Sequence, residues 1–303
     1  MQVYLPIAEM SVNALVVLGM GAVVGFLSGM FGVGGGFLMT PFLIFLGVPP
    51  AVAVGTQANQ LIAASVSGVL GHWRRGNVDV KMALVMLAGG AVGSALGVGL
   101  FGLLQRLGQI DLVISILYVL LLGLVGLSML VESVVALFRK PQPGRGKLRQ
   151  RNWLHALPFK TRFTRSKLYI SVLPPFGIGL FGGVLVAVMG IGGGFLLVPA
   201  MIYLLGMPTA LVAGTSLLQI VFVTAAVTLM QAAVNHNVDV MLALLLLIGG
   251  VVGAPFGSIF GSRLRGETVR VLLALLVVAV SLKLAADMIE TPDQPYSLSV
   301  EAS

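Results

Sequence analysis

The chain has 303 residues, of which 58% are hydrophobic and only 9% are charged, and its formal net charge at pH 7 is +8. Soluble domains carry about 25% charged residues, so this composition excludes a water-soluble fold of this size. The sequence contains no cysteine, which excludes a disulfide framework and thiolate metal ligation. The cations cluster beside apolar stretches, which favours contact with lipid over nucleic-acid binding.

Apolar stretches of about 20 residues or more recur from Ser11 to Ile289, and each is long enough to cross a hydrocarbon core about 30 Å thick. The sequence therefore predicts an all-α polytopic membrane protein with eight to ten membrane segments. The first basic residue is Arg74, so the N-terminal stretch lacks the basic region of a secretory signal peptide. We interpret that stretch as the start of the first helix.

Three sequence blocks occur twice in the same order. The block FGVGGGFLMTP at 31–41 returns as MGIGGGFLLVP at 189–199, GVPPAVAVGT at 47–56 returns as GMPTALVAGT at 206–215, and NVDVKMALVMLAGGAVG at 77–93 returns as NVDVMLALLLLIGGVVG at 237–253. Such order indicates duplication of one unit. The predicted organisation is a transmembrane repeat at 1–138, a basic linker at 139–170 and a second transmembrane repeat at 171–303.

The linker 139–170 contains ten Lys or Arg residues and no acidic residue, so the positive-inside rule places it in the cytoplasm. Aromatic residues are interleaved with these cations. Two interpretations stay open at this point, a segment that lies on anionic lipid headgroups and a solvated linker.

The remaining charges favour inverted over parallel repeats. Inversion brings two basic turns to the cytoplasmic side, namely Arg74, Arg75 and Lys81 in the first half and Arg263, Arg265 and Arg270 in the second. Inversion needs an odd number of crossings per half, and we predict five. The predicted segments are 11–32, 35–47, 51–71, 79–105 and 111–138, then 172–190, 193–206, 209–234, 239–262 and 267–289. Both termini are then predicted to be periplasmic.

A glycine triplet interrupts the first long apolar stretch of each half. The residues are Gly34, Gly35 and Gly36 in the first half and Gly192, Gly193 and Gly194 in the second. Each glycine costs about 1 kcal/mol relative to alanine inside a helix, so a break is expected, as a short spanning helix or a re-entrant hairpin. Unwound backbone ahead of a helix N-terminus is a site for an anion. The alternative is a tight helix crossing at the glycines.

Two further polar clusters follow each break. The first comprises Thr56, Gln57, Asn59 and Gln60, with Thr215, Ser216 and Gln219 in the second half. These side chains suit the oxygens of an anion, or equally hydrogen bonds between helices. The second cluster includes His72, Arg74 and Asp79, with His236 and Asp239 in the second half. The aspartates precede apolar helices and read as helix caps, while a proton relay or gate is the functional alternative.

The segment GFLSGMFGVGGGFLMTPFLIFLGVPPAVAVGT at 25–56, its echo in the second half, the recurring NVD and the basic loop between the halves resemble the TauE/SafE family of sulfite and organosulfonate exporters. The resemblance spans nearly the whole chain. It implies a secondary transporter of the bacterial inner membrane that handles sulfite, a sulfonate or another small anion and uses no cofactor or metal.

Three hypotheses about function follow. The first is an alternating-access transporter that holds an anion between the two breaks, with no enzymatic activity. The second is a passive anion channel or a transporter of an unrelated small solute. The third is a membrane enzyme or an assembly subunit, although the apolar segments contain no pattern of a nucleophile and base.

Overall fold

The computed structural model of the chain describes residues 2–31, 36–138, 158–192, 194–264 and 266–289. Within these ranges the chain forms ten α-helices and two short antiparallel β-hairpins. The predicted all-α polytopic membrane fold is confirmed. The hairpins are an addition that the sequence pattern did not predict.

The two halves have the same order of elements, a hairpin followed by five helices. The first half consists of β1 (Gln2–Leu5), β2 (Met10–Asn13), α1 (Ala14–Phe31), α2 (Gly36–Phe45), α3 (Pro50–Arg74), α4 (Val80–Arg106) and α5 (Ile110–Phe138). The second half consists of β3 (Lys160–Phe163), β4 (Leu168–Ser171), α6 (Leu173–Met189), α7 (Gly194–Tyr203), α8 (Thr209–Met230), α9 (Val240–Arg263) and α10 (Gly266–Ile289). A π-helical turn, Gln231–Asn235, extends α8.

Both hairpins lie where the sequence predicted something else. Residues 11–13, predicted as the start of the first helix, pair with residues 2–4 in what we call the first hairpin, residues 2–13. Residues 160–171, which we call the second hairpin, fall inside the predicted linker 139–170. Residues 139–157 of that linker lie outside the described residues.

Local chemistry explains several helix boundaries. Asp79 and Asp239 cap α4 and α9, because each carboxylate accepts a hydrogen bond from the backbone N–H three residues on, in both cases at 3.1 Å. Pro50 lies in the first turn of α3, where its missing N–H costs nothing. Gly190 ends α6 at a φ of +67°, a conformation that glycine adopts without steric cost.

The tightest helix pairs join one half to the other. Along α1 and α9, a Cβ added at Gly21 would lie 2.9 Å from the carbonyl oxygen of Leu246, and one at Gly25 would lie 2.5 Å from that of Gly250. Only glycine permits backbones to approach this closely. The residue numbers of successive contacts increase along both helices, so α1 and α9 run parallel. The pair α4 and α6 repeats this geometry, with Gly89, Gly93 and Gly97 facing Phe176, Leu180 and Val184.

Equivalent helices of the two halves run antiparallel. In α3 and α8, Gly55 lies against Asn237, just beyond α8, and Gly214 of α8 lies against His72 near the end of α3. In α5 and α10, Gly126 faces Val277 while Val119, earlier in α5, accepts a hydrogen bond from Ser281, later in α10. An inverted pair of repeats requires this antiparallel course. Inversion itself stays a prediction, which these contacts support.

Several helices have the length and composition of membrane spans. Five described helices are long and apolar enough to cross a membrane, Val80–Arg106, Ile110–Val131, Thr209–Asn235, Val240–Gly261 and Val271–Ile289, and three shorter apolar helices accompany them, Ala14–Met30, Gly36–Phe45 and Leu173–Met189. Their outer faces expose large apolar side chains such as Leu124, at 75%, and Leu282, at 66%. Exposed leucines of this kind are expected to contact lipid tails.

The bundle has two ends, which we name by their buried aspartates. At the Asp239 end lie the first hairpin, the C-terminus of α4 and the N-terminus of α3, where the amide of Ala51 donates to Asp111 at 3.1 Å. At the Asp79 end lie the second hairpin, the C-terminus of α3 and the N-terminus of α8. The predicted site residues are distributed between these ends and the centre.

Candidate functional site

The two glycine breaks separate a long helix from a short one in each half. The first long helix ends at Phe31 and α2 begins at Gly36, whereas α6 ends at Met189 and α7 begins at Gly194. Gly34, Gly35 and Gly193 lie outside the described residues. The described Gly36 and Gly194 are the first residues of the two short helices, as predicted for discontinuous helices, and Gly192 lies two residues before α7. Each start leaves backbone N–H groups without an intrahelical partner.

One side chain, Leu61 of α3, lies against both breaks. A Cβ added at Gly36 would be 2.7 Å from Leu61 Cδ1, and a Cβ added at Gly192 would be 2.8 Å from the same atom. The two glycine positions are therefore neighbours across a single methyl group. Leu61 is only 3% exposed, so this meeting point is sealed inside the bundle.

Gln57 of α3 lies at the second break. Its Nε2 donates a hydrogen bond to the carbonyl oxygen of Gly190, the residue that ends α6. The side chain is fully buried, yet its Oε1 has no hydrogen-bond partner within the described part of the chain. Buried polar atoms are almost always paired, so this oxygen can accept a hydrogen bond from a further donor.

Gln60 and Gln219 occupy equivalent places in the two halves. Gln60 packs against Gly250 of α9, and Gln219 packs against Gly90 of α4, where an added Cβ would lie 3.1 Å from Gln219 Nε2. Each glutamine thus contacts a glycine of the other half. Gln219 is 1% exposed and its Oε1 also lacks a described partner, whereas Gln60 and Asn59 are half-buried.

The threonines of the first polar cluster bind backbone at the two ends of the bundle. Thr56 Oγ1 accepts a hydrogen bond from the amide of Asp239, and Thr215 Oγ1 accepts one from the amide of Asp79, both at 3.0 Å. Ser216 bonds within its own helix, to the carbonyl oxygen of Ala213 at 3.1 Å. These bonds fit the interhelical interpretation of the cluster, while its role in binding an anion stays a prediction.

Asp79 and Asp239 each join a helix start to a hairpin of the other half. Besides capping α4, Asp79 accepts hydrogen bonds from the amide of Ser166, at 3.0 Å, and from the hydroxyl of Ser166. Besides capping α9, Asp239 accepts one from the amide of Ile7 at 3.1 Å. Both aspartates are buried. The capping prediction is confirmed, and a role in proton transfer stays a prediction.

The remaining residues of the second cluster do not converge on one point. His72 is half-buried at the Asp79 end, where its Nδ1 is buried and has no described hydrogen-bond partner. Arg74 is exposed at the same end. His236 is exposed at the opposite end, with a φ of +54°. The two histidines therefore lie at opposite ends of the bundle, and a role in proton transfer or gating stays a prediction for each.

Sequence reasoning missed three residues that the structure brings to these sites. Leu61 fills the meeting point of the breaks, Ser166 binds Asp79, and Tyr118 of α5 donates a hydrogen bond to the carbonyl oxygen of Met189, 2.5 Å away at the end of α6. Tyr118 carried a usable signal, because a hydroxyl in an otherwise apolar segment needs a buried partner. No sequence pattern distinguishes Leu61 or Ser166 from other residues of their kind.

Comparison with known proteins gives a consistent result. Residues 17–284 match the family described as Sulfite exporter TauE/SafE. The probable membrane transporter protein YjnA of Bacillus subtilis (strain 168) is 31% identical over 266 residues, which cover 88% of this chain and 97% of that protein. A probable membrane transporter protein of Xylella fastidiosa (strain 9a5c) is 31% identical over 284 residues, covering 90% and 95%. No solved structure matches the chain significantly.

Proposed function

Because this chain belongs to the sulfite exporter TauE/SafE family, we propose that it is a secondary transporter that moves a small anion, sulfite or an organosulfonate, across the bacterial inner membrane by alternating access. Family membership supports a membrane transporter with a small-molecule substrate. The observation that carries the choice of an anion is the meeting of the two breaks around Leu61, at Gly36, where α2 starts, and at Gly192, two residues before α7 starts.

Helix-terminus electrostatics favours negative charge at this point. The N-terminus of a helix behaves as roughly half a positive charge, and its first N–H groups point toward a ligand. Both short helices have ten residues. α2 begins at Gly36 against the buried Leu61, and α7 begins two residues after Gly192, which also lies against Leu61, so water screens these helix dipoles little. The unpaired Oε1 of Gln57 beside the second break can only accept a hydrogen bond, so it favours a ligand that also carries a donor, such as the proton of hydrogen sulfite.

The pairing of the halves supports a rocking motion. Each hairpin binds an aspartate of the other half, one at each end of the bundle, so both ends are held by contacts between the halves. Alternating access would open one of these ends at a time. Transporters built from inverted repeats exchange the accessibility of a midplane site in this manner.

Charge distribution supports a cytoplasmic location for the Asp79 end. That end carries the cations Arg74, Arg75, Lys81, Lys160, Arg162, Arg165 and Lys167. The Asp239 end carries two described cations, Arg106 and Lys283, beside the acids Glu9, Asp111 and Asp287. By the positive-inside rule the basic end faces the cytoplasm and the first hairpin faces the periplasm. Electrostatic attraction to the basic end would also raise the local concentration of an anion.

The test is flux into proteoliposomes. We expect wild-type protein to take up labelled sulfite or a labelled sulfonate with saturation and counterflow. Gly192→Val should abolish uptake, because its side chain would collide with Leu61. Gly99→Ala is the matched control, since a Cβ there would have no neighbour within 4 Å, and it should retain wild-type flux. Normal flux through folded Gly192→Val protein would contradict the proposed site, and uptake without saturation or counterflow would indicate a channel.

A further inference from the structure

Leu61 and Ile220 occupy equivalent positions in the two halves, and their described neighbours differ. In the repeated blocks Thr56 aligns with Thr215, so Leu61 aligns with Ile220. Leu61 touches both breaks, whereas Ile220 packs in a separate apolar cluster with Met82, Leu197 and residues around them. Among the described contacts, Leu61 is therefore the side chain that lies between the two breaks.

This side chain fills the space in which an anion between the two breaks would sit. Leu61 Cδ1 and Cδ2 both lie within 3 Å of the positions that a Cβ would take at Gly36 and at Gly192. Any ligand bound to both helix starts must displace these methyl groups or contact them. Displacement is feasible, because leucine changes between staggered rotamers without moving the backbone.

From this geometry we propose that Leu61 limits the size of the anion that the central site accepts. The inference rests on the proposed function. The charged group of the substrate binds the N–H groups at the helix starts, and any organic substituent must fit against the leucine methyl groups. Because the surroundings of Leu61 are buried and closely packed, a longer substituent has no other place to go. The site is thereby selective for sulfite and short-chain sulfonates over long-chain ones.

The experiment compares Leu61→Ala with Ile220→Ala in proteoliposomes. Uptake of labelled sulfite is measured in competition with methane-, ethane-, butane- and hexanesulfonate. For the wild type, inhibition should weaken as the alkyl chain lengthens. Leu61→Ala should improve inhibition by hexanesulfonate at least tenfold relative to methanesulfonate. Ile220→Ala, which removes a buried side chain of similar size elsewhere, should keep the wild-type order.

Two further variants keep the experiment informative if Leu61→Ala does not fold. Leu61→Val should shift the order in the same direction by a smaller amount, and Leu61→Met, with a similar volume, should keep the wild-type order. An unchanged order in Leu61→Ala or, if that variant is unfolded, in Leu61→Val overturns the role of Leu61 while leaving the proposed function intact. The same shift in Ile220→Ala also overturns it. A wild-type protein that transports none of these anions overturns both proposals.

Discussion

At the Asp239 end of the bundle, the described residues bind the first hairpin to the buried carboxylate by one hydrogen bond, from the amide of Ile7. At the Asp79 end, the second hairpin makes two described hydrogen bonds to the carboxylate and two with neighbouring residues. Ser166 donates its amide and its hydroxyl to the carboxylate, Arg165 donates to the carbonyl oxygen of Gly76 at 2.7 Å, and Lys81 donates to that of Arg162 at 3.1 Å. The two ends have equivalent helices and capping aspartates, but the hydrogen bonds that hold their hairpins differ.

The shared part of the two ends is buried and the part that differs is partly exposed. Asp79 and Asp239 cap equivalent helices, and the backbone amide of each donates a hydrogen bond to a threonine hydroxyl of the opposite half. Differences arise in the hairpin tips, whose sequences are PIAE at 6–9 and TRSK at 164–167. We therefore expect the ends to differ in their resistance to opening. In an alternating-access cycle the Asp239 end should open at lower free-energy cost than the Asp79 end.

The largest expected effect is that of the aspartates themselves. Asp79→Ala removes a helix cap and leaves two buried amides unpaired, and should destabilise the protein by roughly 3–5 kcal/mol. Asp239→Ala should lower the free energy of unfolding by about 1 kcal/mol less, because the Asp239 carboxylate has no described hydroxyl donor equivalent to that of Ser166. Unfolding in mixed detergent micelles measures both. Asp79→Asn, which keeps a capping oxygen, is the control, and a larger loss for Asp239→Ala would contradict the comparison.

The threonines should have smaller and equal effects. Thr215→Val and Thr56→Val each leave one buried amide without an acceptor, so each should cost roughly 1–2 kcal/mol of unfolding free energy. Both hydroxyls accept at the same distance of 3.0 Å, so we expect the two losses to agree within about 0.5 kcal/mol. The same unfolding assay applies. A clear inequality would show that the ends already differ in their buried scaffold.

Ser166 tests the extra fastening directly. Ser166→Ala removes one hydroxyl donor and retains the amide bond to Asp79, so it should cost about 1 kcal/mol. Ser11→Ala in the exposed part of the first hairpin is the matched control and should change stability by less than about 0.5 kcal/mol. Limited proteolysis of the second hairpin should accelerate in Ser166→Ala alone. Equal proteolysis of both variants would argue against a fastening role.

The smallest effect should come from Lys81. Its ammonium group donates to the carbonyl oxygen of Arg162 in an exposed position, where water competes for the bond. Lys81→Ala should therefore lower the unfolding free energy by less than about 0.5 kcal/mol. Lys283→Ala, which removes an exposed ion pair with Asp287, should behave alike. A loss above about 1 kcal/mol for Lys81→Ala would show that surface bonds hold the second hairpin.

Sequence periodicity and repetition predicted much of this architecture. The apolar stretches predicted the helices, the glycine triplets predicted the start of α2 and α7, and aspartates before apolar stretches predicted the caps of α4 and α9. These features depend on local chemistry, which a single sequence displays. Neighbouring residues alone determine whether a helix is interrupted or capped.

Features that depend on distant neighbours escaped prediction. The hairpins have strands of only four residues, too short for a distinctive alternating pattern. Leu61 looks like any leucine of an apolar helix, and only the meeting of two remote breaks distinguishes it. The partners of Thr56 and Thr215 lie more than 100 residues away in sequence, so their interhelical role required the fold.

The most direct test of the central claim is a structure of the protein determined with selenite in place of sulfite, using the anomalous scattering of selenium to locate the anion. We predict one strong peak beside Leu61, between Gly36 and Gly192, accompanied by a changed Leu61 rotamer. A peak confined to the basic second hairpin, or no peak at a saturating concentration, would contradict an anion site at the meeting of the two helix breaks.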